Sequence, residues 1–301
     1  MLDAALGVVM ADYSIWVLEY AAVERFPVSF MLYGAQGLGT RKLPYAYVLL
    51  KKGADVVMID MGYNHVAYGS ELANLYGVSN WHPPDAVLAE CGVTPLDVTS
   101  ILITHAHFDH MGGMALFPRA TFYIQKRELS KWVWSLTLGP EFRFLVSATD
   151  PADIMTAVEA AKTGRMVCVD GDRENLLPGI DVHLAEDTHT YGSMYVRVRN
   201  DGVSNSRDAW IFAGDNIYTY DNLTGLDPAN PQITPIGYAV GSQANLIFST
   251  AEMLKAVDGE QRRLIPIHED RLKSVFPSRL TSNGLQLIEI ALADGESSRV
   301  A

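Results

Sequence analysis

The stretch Thr104-His-Ala-His-Phe-Asp-His-Met-Gly-Gly113 places three histidines and one aspartate within ten residues, in a chain that has only eight histidines. In an extended segment, residues two apart point the same way, so His105 and His107 can present two ring nitrogens to one ion. Asp109 and His110 are adjacent and, after a turn, can address a second ion a few ångströms away. Imidazoles with a carboxylate are the donor set that zinc and its neighbours in the first transition row prefer. The residues just before, Val98–Thr104, form a short apolar run that reads as a buried strand delivering the histidines at its C-terminal end.

Four side chains cannot complete two metal sites, so further ligands are expected at other strand ends. His189 lies in a polar turn between two strand-like runs, His268 ends the apolar run Arg262–His268, and Asp215 ends Trp210–Asp215 in the same manner. Each is a polar side chain at the mouth of a buried strand, where sites are commonly built. His183 alternates inside a strand pattern and reads as structural. His65 and His82 read as loop or cap residues.

The surrounding chain fits such a scaffold. Runs at 14–21, 28–34, 45–53 and 55–62 have strand composition, the last two joined as a hairpin, and 83–93 reads as a helix opened by Pro and closed by Gly92. A strand at 120–124, helices at 125–136 and 151–164, and further strand runs up to residue 214 follow. A Gly/Pro/Asn-rich loop spans 221–242, then come a helix at 243–257 and a last strand at 262–268. Strand clusters in each half with helices between them predict two packed sheets with helices outside, in one domain over residues 1–301.

Composition narrows the function classes. The chain has 301 residues, 49% of them hydrophobic and 19% charged, with a formal net charge of -12. That acidity disfavours nucleic acid and anionic membranes as partners and suits a small-molecule substrate; a homo-oligomer is compatible with it. The first residues lack a basic segment and read poorly as a secretion signal, and no apolar run is long enough to span a membrane, so a cytoplasmic protein is expected. Cys91 and Cys168 sit in apolar surroundings and are expected as buried free thiols.

With these residues in view, the chain resembles the metallo-β-lactamase superfamily of hydrolases, whose signature is HxHxDH followed by a His, an Asp and a His at strand ends. Asp60, in the Asp55–Gly62 hairpin strand, fits that family's early strand-Asp-Gly element. The resemblance implies an α+β fold, a four-layer αββα sandwich, with two divalent cations at the edge between the sheets. These would be zinc, or manganese, iron or cobalt. His105, His107 and His189 would hold the first ion, Asp109, His110 and His268 the second, and Asp215 would bridge them. Two such ions activate a shared water and polarise a carbonyl, so hydrolysis needs no Ser or Cys nucleophile, and no GxSxG motif is present.

Asp109 could also carry a proton to the leaving group. Tyr218, three residues after Asp215, is similar to a tyrosine of the N-acyl homoserine lactonase group that donates to the lactone carbonyl, which makes ring opening of a lactone or a related cyclic ester or amide the expected reaction. The stretch Asp187–Ser193 departs from the GHTPGH pattern of that group and of glyoxalase II, keeping the ligand His189 while changing the adjoining wall. Hydrolysis of an acyclic thioester and a non-catalytic metal- or ligand-binding protein of the same fold are the alternative readings. The aromatic segment 131–145 is expected either in the core or as pocket wall, and the loop 221–242 as a cover over the substrate or at an oligomer interface.

Overall fold

Strand β1 (Ser14–Pro27) is apolar on both faces: Trp16, Leu18 and Tyr20 enter one core, Ile15 and Val17 another. A strand buried on both sides must lie between two layers, and the period-2 alternation assigns each residue to its layer. The computed structural model describes residues 13–227 and 229–301; the N-terminal stretch read above for a targeting signal lies outside them.

After β1 come helix α1 (Val28–Met31) and the hairpin β2 (Thr40–Lys52) with β3 (Asp55–Ile59), which pairs Val48 with Ile59 and Lys52 with Asp55. Helix α2 (Ala67–Tyr76), strand β4 (Val78–Ser79) and helix α3 (Pro84–Leu88) lead to β5 (Ser100–Leu102), parallel to β3. Helix α4 (Phe108–Met111), β6 (Thr121–Gln125), α5 (Lys126–Ser135), α6 (Pro151–Lys162) and β7 (Met166–Val169) follow, with β5, β6 and β7 parallel.

The second sheet contains β8 (Arg173–Leu177), β9 (Ile180–Glu186), β10 (Gly192–Arg199) and β11 (Ala209–Phe212). After α7 (Asp221–Thr224) and α8 (Gln243–Lys255), β12 (Leu264–Ile265) completes it in the order β12-β11-β10-β9-β8. Helix α9 (Leu272–Val275), β13 (Ser278–Leu280) and β14 (Gln286–Ala291) return the chain to the first sheet, ordered β13-β14-β1-β2-β3-β5-β6-β7 with β4 alongside β1.

Three apolar clusters make the layers. Val17, Val48, Ile59, Met194, Val196 and Phe212 fill the space between the sheets. Leu72, Val87, Trp132 and Ile154 bring helices onto the outer face of the first sheet. Met253 and Val257, at the end of α8, pack with Ile211 and Tyr195 on the outer face of the second. This is the expected αββα sandwich. Among the described residues, no helix is long and apolar enough to cross a membrane.

Four local expectations need correction. The run 28–34 is not a strand: Pro27 ends β1, Val28–Met31 makes one helical turn, and Leu32 N–H donates to the Val28 carbonyl. The run 262–268 is a strand only at Leu264–Ile265, because Pro266 cannot donate to a ladder. The C-terminal strands β13 and β14, which were not expected, form the edge beside β1. Cys91 is buried, but Cys168 is exposed, since β7 is the last strand of its sheet and shows one side to solvent.

The turn after β3 joins the fold to the histidine run. Gly62 has φ +70°, and a Cβ there would lie 2.9 Å from Tyr20 Cζ, whose hydroxyl donates to the Asp109 carbonyl at 2.7 Å. Gly62→Ala is therefore expected to lose about 2–4 kcal/mol, from left-handed backbone strain plus overpacking. Gly53→Ala, at φ +58° with open space around it, is expected to lose only about 1–2 kcal/mol. Urea unfolding of the two variants isolates the contact with Tyr20.

Candidate metal centre

β5 stops at Leu102, and the chain turns out of the sheet at Thr104. Asp60, at φ +60° just past β3, accepts from Thr104 N at 2.7 Å, from Thr104 Oγ1 at 2.8 Å, and from His110 Nδ1 at 2.8 Å. One buried carboxylate thus pins both ends of the histidine run. His107 sits at the N-terminal boundary of α4, whose single turn rotates Asp109 and His110 away from His105 and His107. His189 comes from the β9–β10 turn, Asp215 from the turn after β11, and His268 follows β12. All seven side chains are buried.

They converge as two groups. His105 Nε2 and His189 Nε2 lie 3.1 and 3.0 Å from His107 Nδ1, and both face Asp215 Oδ2, at 3.7 and 3.3 Å. His110 Nε2 and His268 Nε2 face the other oxygen, Asp215 Oδ1, at 3.2 and 3.0 Å, and Asp109 Oδ2 is 3.5 Å from His110 Nε2. Within each group, His105/His107/His189/Asp215 and Asp109/His110/His268, the potential ligand atoms lie within 4.8 Å of one another.

The outer nitrogens of the rings decide what this means. His189 Nδ1 faces the Tyr238 carbonyl at 3.0 Å and His268 Nδ1 the Pro44 carbonyl at 2.6 Å, so both must donate outward. His110 Nδ1 donates to the Asp60 carboxylate. The Thr104 hydroxyl already donates to Asp60, so it accepts from His105 Nδ1 at 3.1 Å. In their neutral forms, imidazoles held this way turn lone pairs inward, onto each other and onto a carboxylate. Acceptors facing acceptors in a buried site are satisfied by cations between them, and His110 Nε2 and Asp215 Oδ1 have no hydrogen-bond partner. The residues fit a pair of divalent ions.

Three buried carboxylates, Asp60, Asp109 and Asp215, leave the centre short of positive charge. Burial and the neighbouring His110 hold the His105 imidazole well below its usual pKa, so it is neutral. Burial opposes charge on His110, yet the carboxylates of Asp215, Asp109 and Asp60 outweigh it and raise its pKa well above the usual value. Burial likewise opposes ionisation of Asp215, but His110 and His268 hold its carboxyl well below the ordinary range.

A cavity of about 270 Å³ ends on this centre. His107, Asp109, Asp215 and His268 form its polar end; Val23, Phe26, Phe30, Leu43, Tyr45 and Tyr76 are among its apolar walls. Tyr218 also lines it, with its ring 5.1 Å from that of His268 and 5.7 Å from that of His189, so that it touches both groups. Loop 221–242 contributes Tyr238, whose carbonyl orients His189 and whose ring faces the cavity.

Segment 131–145 does not line this cavity. Trp132 is buried against His107, whereas Trp134, Phe142 and Phe144 are exposed. His65 and His82 do not line it either: His65 stacks on Trp81 and His82 bonds Asn80. His183 stacks on Tyr195 away from the centre.

The sequence reading missed Glu128. This fully buried carboxylate accepts from Ala106 N at 2.9 Å, Trp132 Nε1 at 2.7 Å and Gly192 N at 2.6 Å, tying the HxH segment to the turn that carries His189. Its signal was an acidic residue on the apolar stripe of α5, one turn before Trp132. The pocket residues of 23–30 were missed as well, because 22–27 read as the connection between two strand-like runs and 28–34 as a strand.

The match to the family model described as the metallo-beta-lactamase superfamily covers residues 40–266. No curated protein matches the chain. Among solved structures, a probable metal-dependent hydrolase from Staphylococcus aureus aligns with a TM-score of 0.66 at 19% identity, over 87% of this chain and 91% of that one. A point mutant of AiiA from B. thuringiensis, with N-decanoyl-L-homoserine bound at its active site, aligns with a TM-score of 0.63 at 15% identity, over 88% and 96%. AidC, a dizinc quorum-quenching lactonase in complex with the product N-hexanoyl-L-homoserine, aligns with a TM-score of 0.62 at 16% identity, over 95% and 97%. The family model spans the stretch from β2 to the strand before His268 and takes in the histidine run, His189 and Asp215; the chain belongs to the metallo-β-lactamase superfamily.

Proposed function

We propose that the protein is a dinuclear metal-dependent hydrolase that opens a lactone, or a related small cyclic ester or amide, carrying an apolar substituent. One observation supports this above the rest: a single cavity reaches both ligand groups at its polar end, has aromatic and aliphatic walls, and includes Tyr218 beside the centre. A ring at the metal end with an apolar tail along the walls matches that division. The N-acyl-L-homoserine molecules bound to AiiA and AidC have the same division, a polar head and an acyl tail.

His105, His107 and His189 would hold one ion, Asp109, His110 and His268 the other, with Asp215 between them. When bound, such a pair supplies Lewis acidity toward a carbonyl and a water acidic enough to attack near neutral pH. The protein's own groups complete the chemistry. Tyr218 is pushed well above the usual phenol pKa, by burial first and then by the Asp215 and Asp109 charges, so it stays protonated and donates. A fixed donor at the cavity wall stabilises charge developing on the substrate's carbonyl oxygen. Asp109, 3.5 Å from His110 Nε2 and lining the polar end of the cavity, is placed to pass a proton to the departing alkoxide. Neither cysteine lines the cavity.

Metal analysis of the purified protein is expected to find about two equivalents of divalent metal per chain, with chelation abolishing ring opening and metal restoring it. Asp109→Asn is expected to lower kcat on a lactone by ~10²–10⁴-fold. Tyr218→Phe is expected to lower kcat by ~10²-fold while metal content holds, through loss of one oxyanion donor. A panel of lactones, cyclic amides and a glutathione thioester, read by acid or thiol release, separates this reading from thioester hydrolysis; turnover of the thioester alone would overturn it.

A further inference from the structure

The cavity wall contains one cation, Arg25. The cations on the facing strand are neutralised: Arg41 pairs with Asp221 at 2.6 Å and Lys42 with Glu19 at 2.6 Å. Arg25 has no carboxylate partner among the described residues. In a chain of net charge -12, a guanidinium left free beside an otherwise apolar wall is an available site for an anion.

The backbone aims it there. β1 and β2 pair Val23 with Leu43 and Phe26 with Arg41, so Glu24 and Arg25 together occupy the place opposite Lys42. This irregularity in the ladder is a bulge, and a bulge next to a site re-aims a side chain that strict alternation would send elsewhere. Val23, Phe26 and Pro27, on either side of it, all line the same cavity. Arg25 is solvent-exposed, while the metal ligands of the cavity are buried.

We infer that the substrate is amphipathic at both ends: a hydrolysable ring at the metal centre, an apolar body along the walls, and an anionic terminus, of which a carboxylate is the simplest, held by Arg25. This rests on the reading of the cavity as the substrate site and deepens it, since an uncharged acyl tail has no use for a free guanidinium. Arginine presents a planar fork that matches a carboxylate with two parallel hydrogen bonds.

The test is binding, so it does not depend on turnover. Alkanoates and α,ω-alkanedioates of graded length are titrated calorimetrically into the full-length, metal-loaded protein. At one length the dicarboxylate is expected to bind about tenfold tighter than its monocarboxylate counterpart, a difference of about 1.4 kcal/mol. That ratio should fall to near one in Arg25→Gln, persist in part in Arg25→Lys, and shrink as salt is raised. Equal affinities at every length, or an advantage that survives in Arg25→Gln, would overturn the inference. Lactone turnover is scored separately. An Arg25-dependent preference without ring opening removes the lactone reading and keeps the anionic terminus, whereas ring opening without the preference does the reverse.

Discussion

Everything around the centre depends on which way five imidazoles turn their protons. Four of them are held from outside by an acceptor on a different part of the fold: Thr104 at the end of β5, Asp60 past β3, the Pro44 carbonyl on β2 and the Tyr238 carbonyl in the long loop. In the neutral form of each ring, the outward bond leaves the inner nitrogen without a proton. The result is a buried shell of lone pairs around the two oxygens of Asp215, an arrangement that is unfavourable by itself and satisfied by cations. Strand ends from both sheets are needed to build it. The sandwich therefore works as a frame that forces acceptors together.

Much of this was legible from residue order alone. The spacing in HAHFDH encodes a turn between His107 and Asp109, and α4 is that turn. Polar residues ending apolar runs marked His189, Asp215 and His268, because a strand that stops at a sheet edge exposes its next side chain there. Much of β1, β2, β3, β9 and β10 was readable because β-branched and aromatic residues crowd those runs. What was not legible depends on partners distant in sequence. Asp60 fits the family's strand-Asp-Gly element, but its bonds to Thr104 and His110 exist only once these fold against it. Glu128 resembles a surface charge until Ala106 and Gly192 arrive. The pocket wall at 23–30 depends on a bulge set by pairing with β2, and β14 is recognisable as a sheet strand only once β1 is known to have a free side.

The stretch 187–193, where the family's pattern lapses, shows how a site tolerates change outside its ligands. The Ser193 hydroxyl accepts from Thr190 N and sits 2.7 Å from the Thr190 hydroxyl, closing the turn locally. Tyr191 packs edge-on against Trp132 and Trp134, anchoring the turn to α5. Gly192 has its amide on Glu128 and no room for a side chain, since a Cβ would lie 2.4 Å from the Glu128 nitrogen. The turn that carries His189 is thus held by its own Thr190–Ser193 bonds, by Tyr191 against α5 and by Gly192 on Glu128.

The order of ligands along the chain has a consequence for biogenesis. His105, His107, His189 and Asp215 all precede the long loop, whereas the other group is completed only by His268, after α8 and β12. A chain emerging from its N-terminus therefore holds one full binding group while the other still lacks a member. The Tyr238 carbonyl that orients His189 arrives between the two events. The second group thus closes only where the chain reaches β12, the strand that finishes the second sheet.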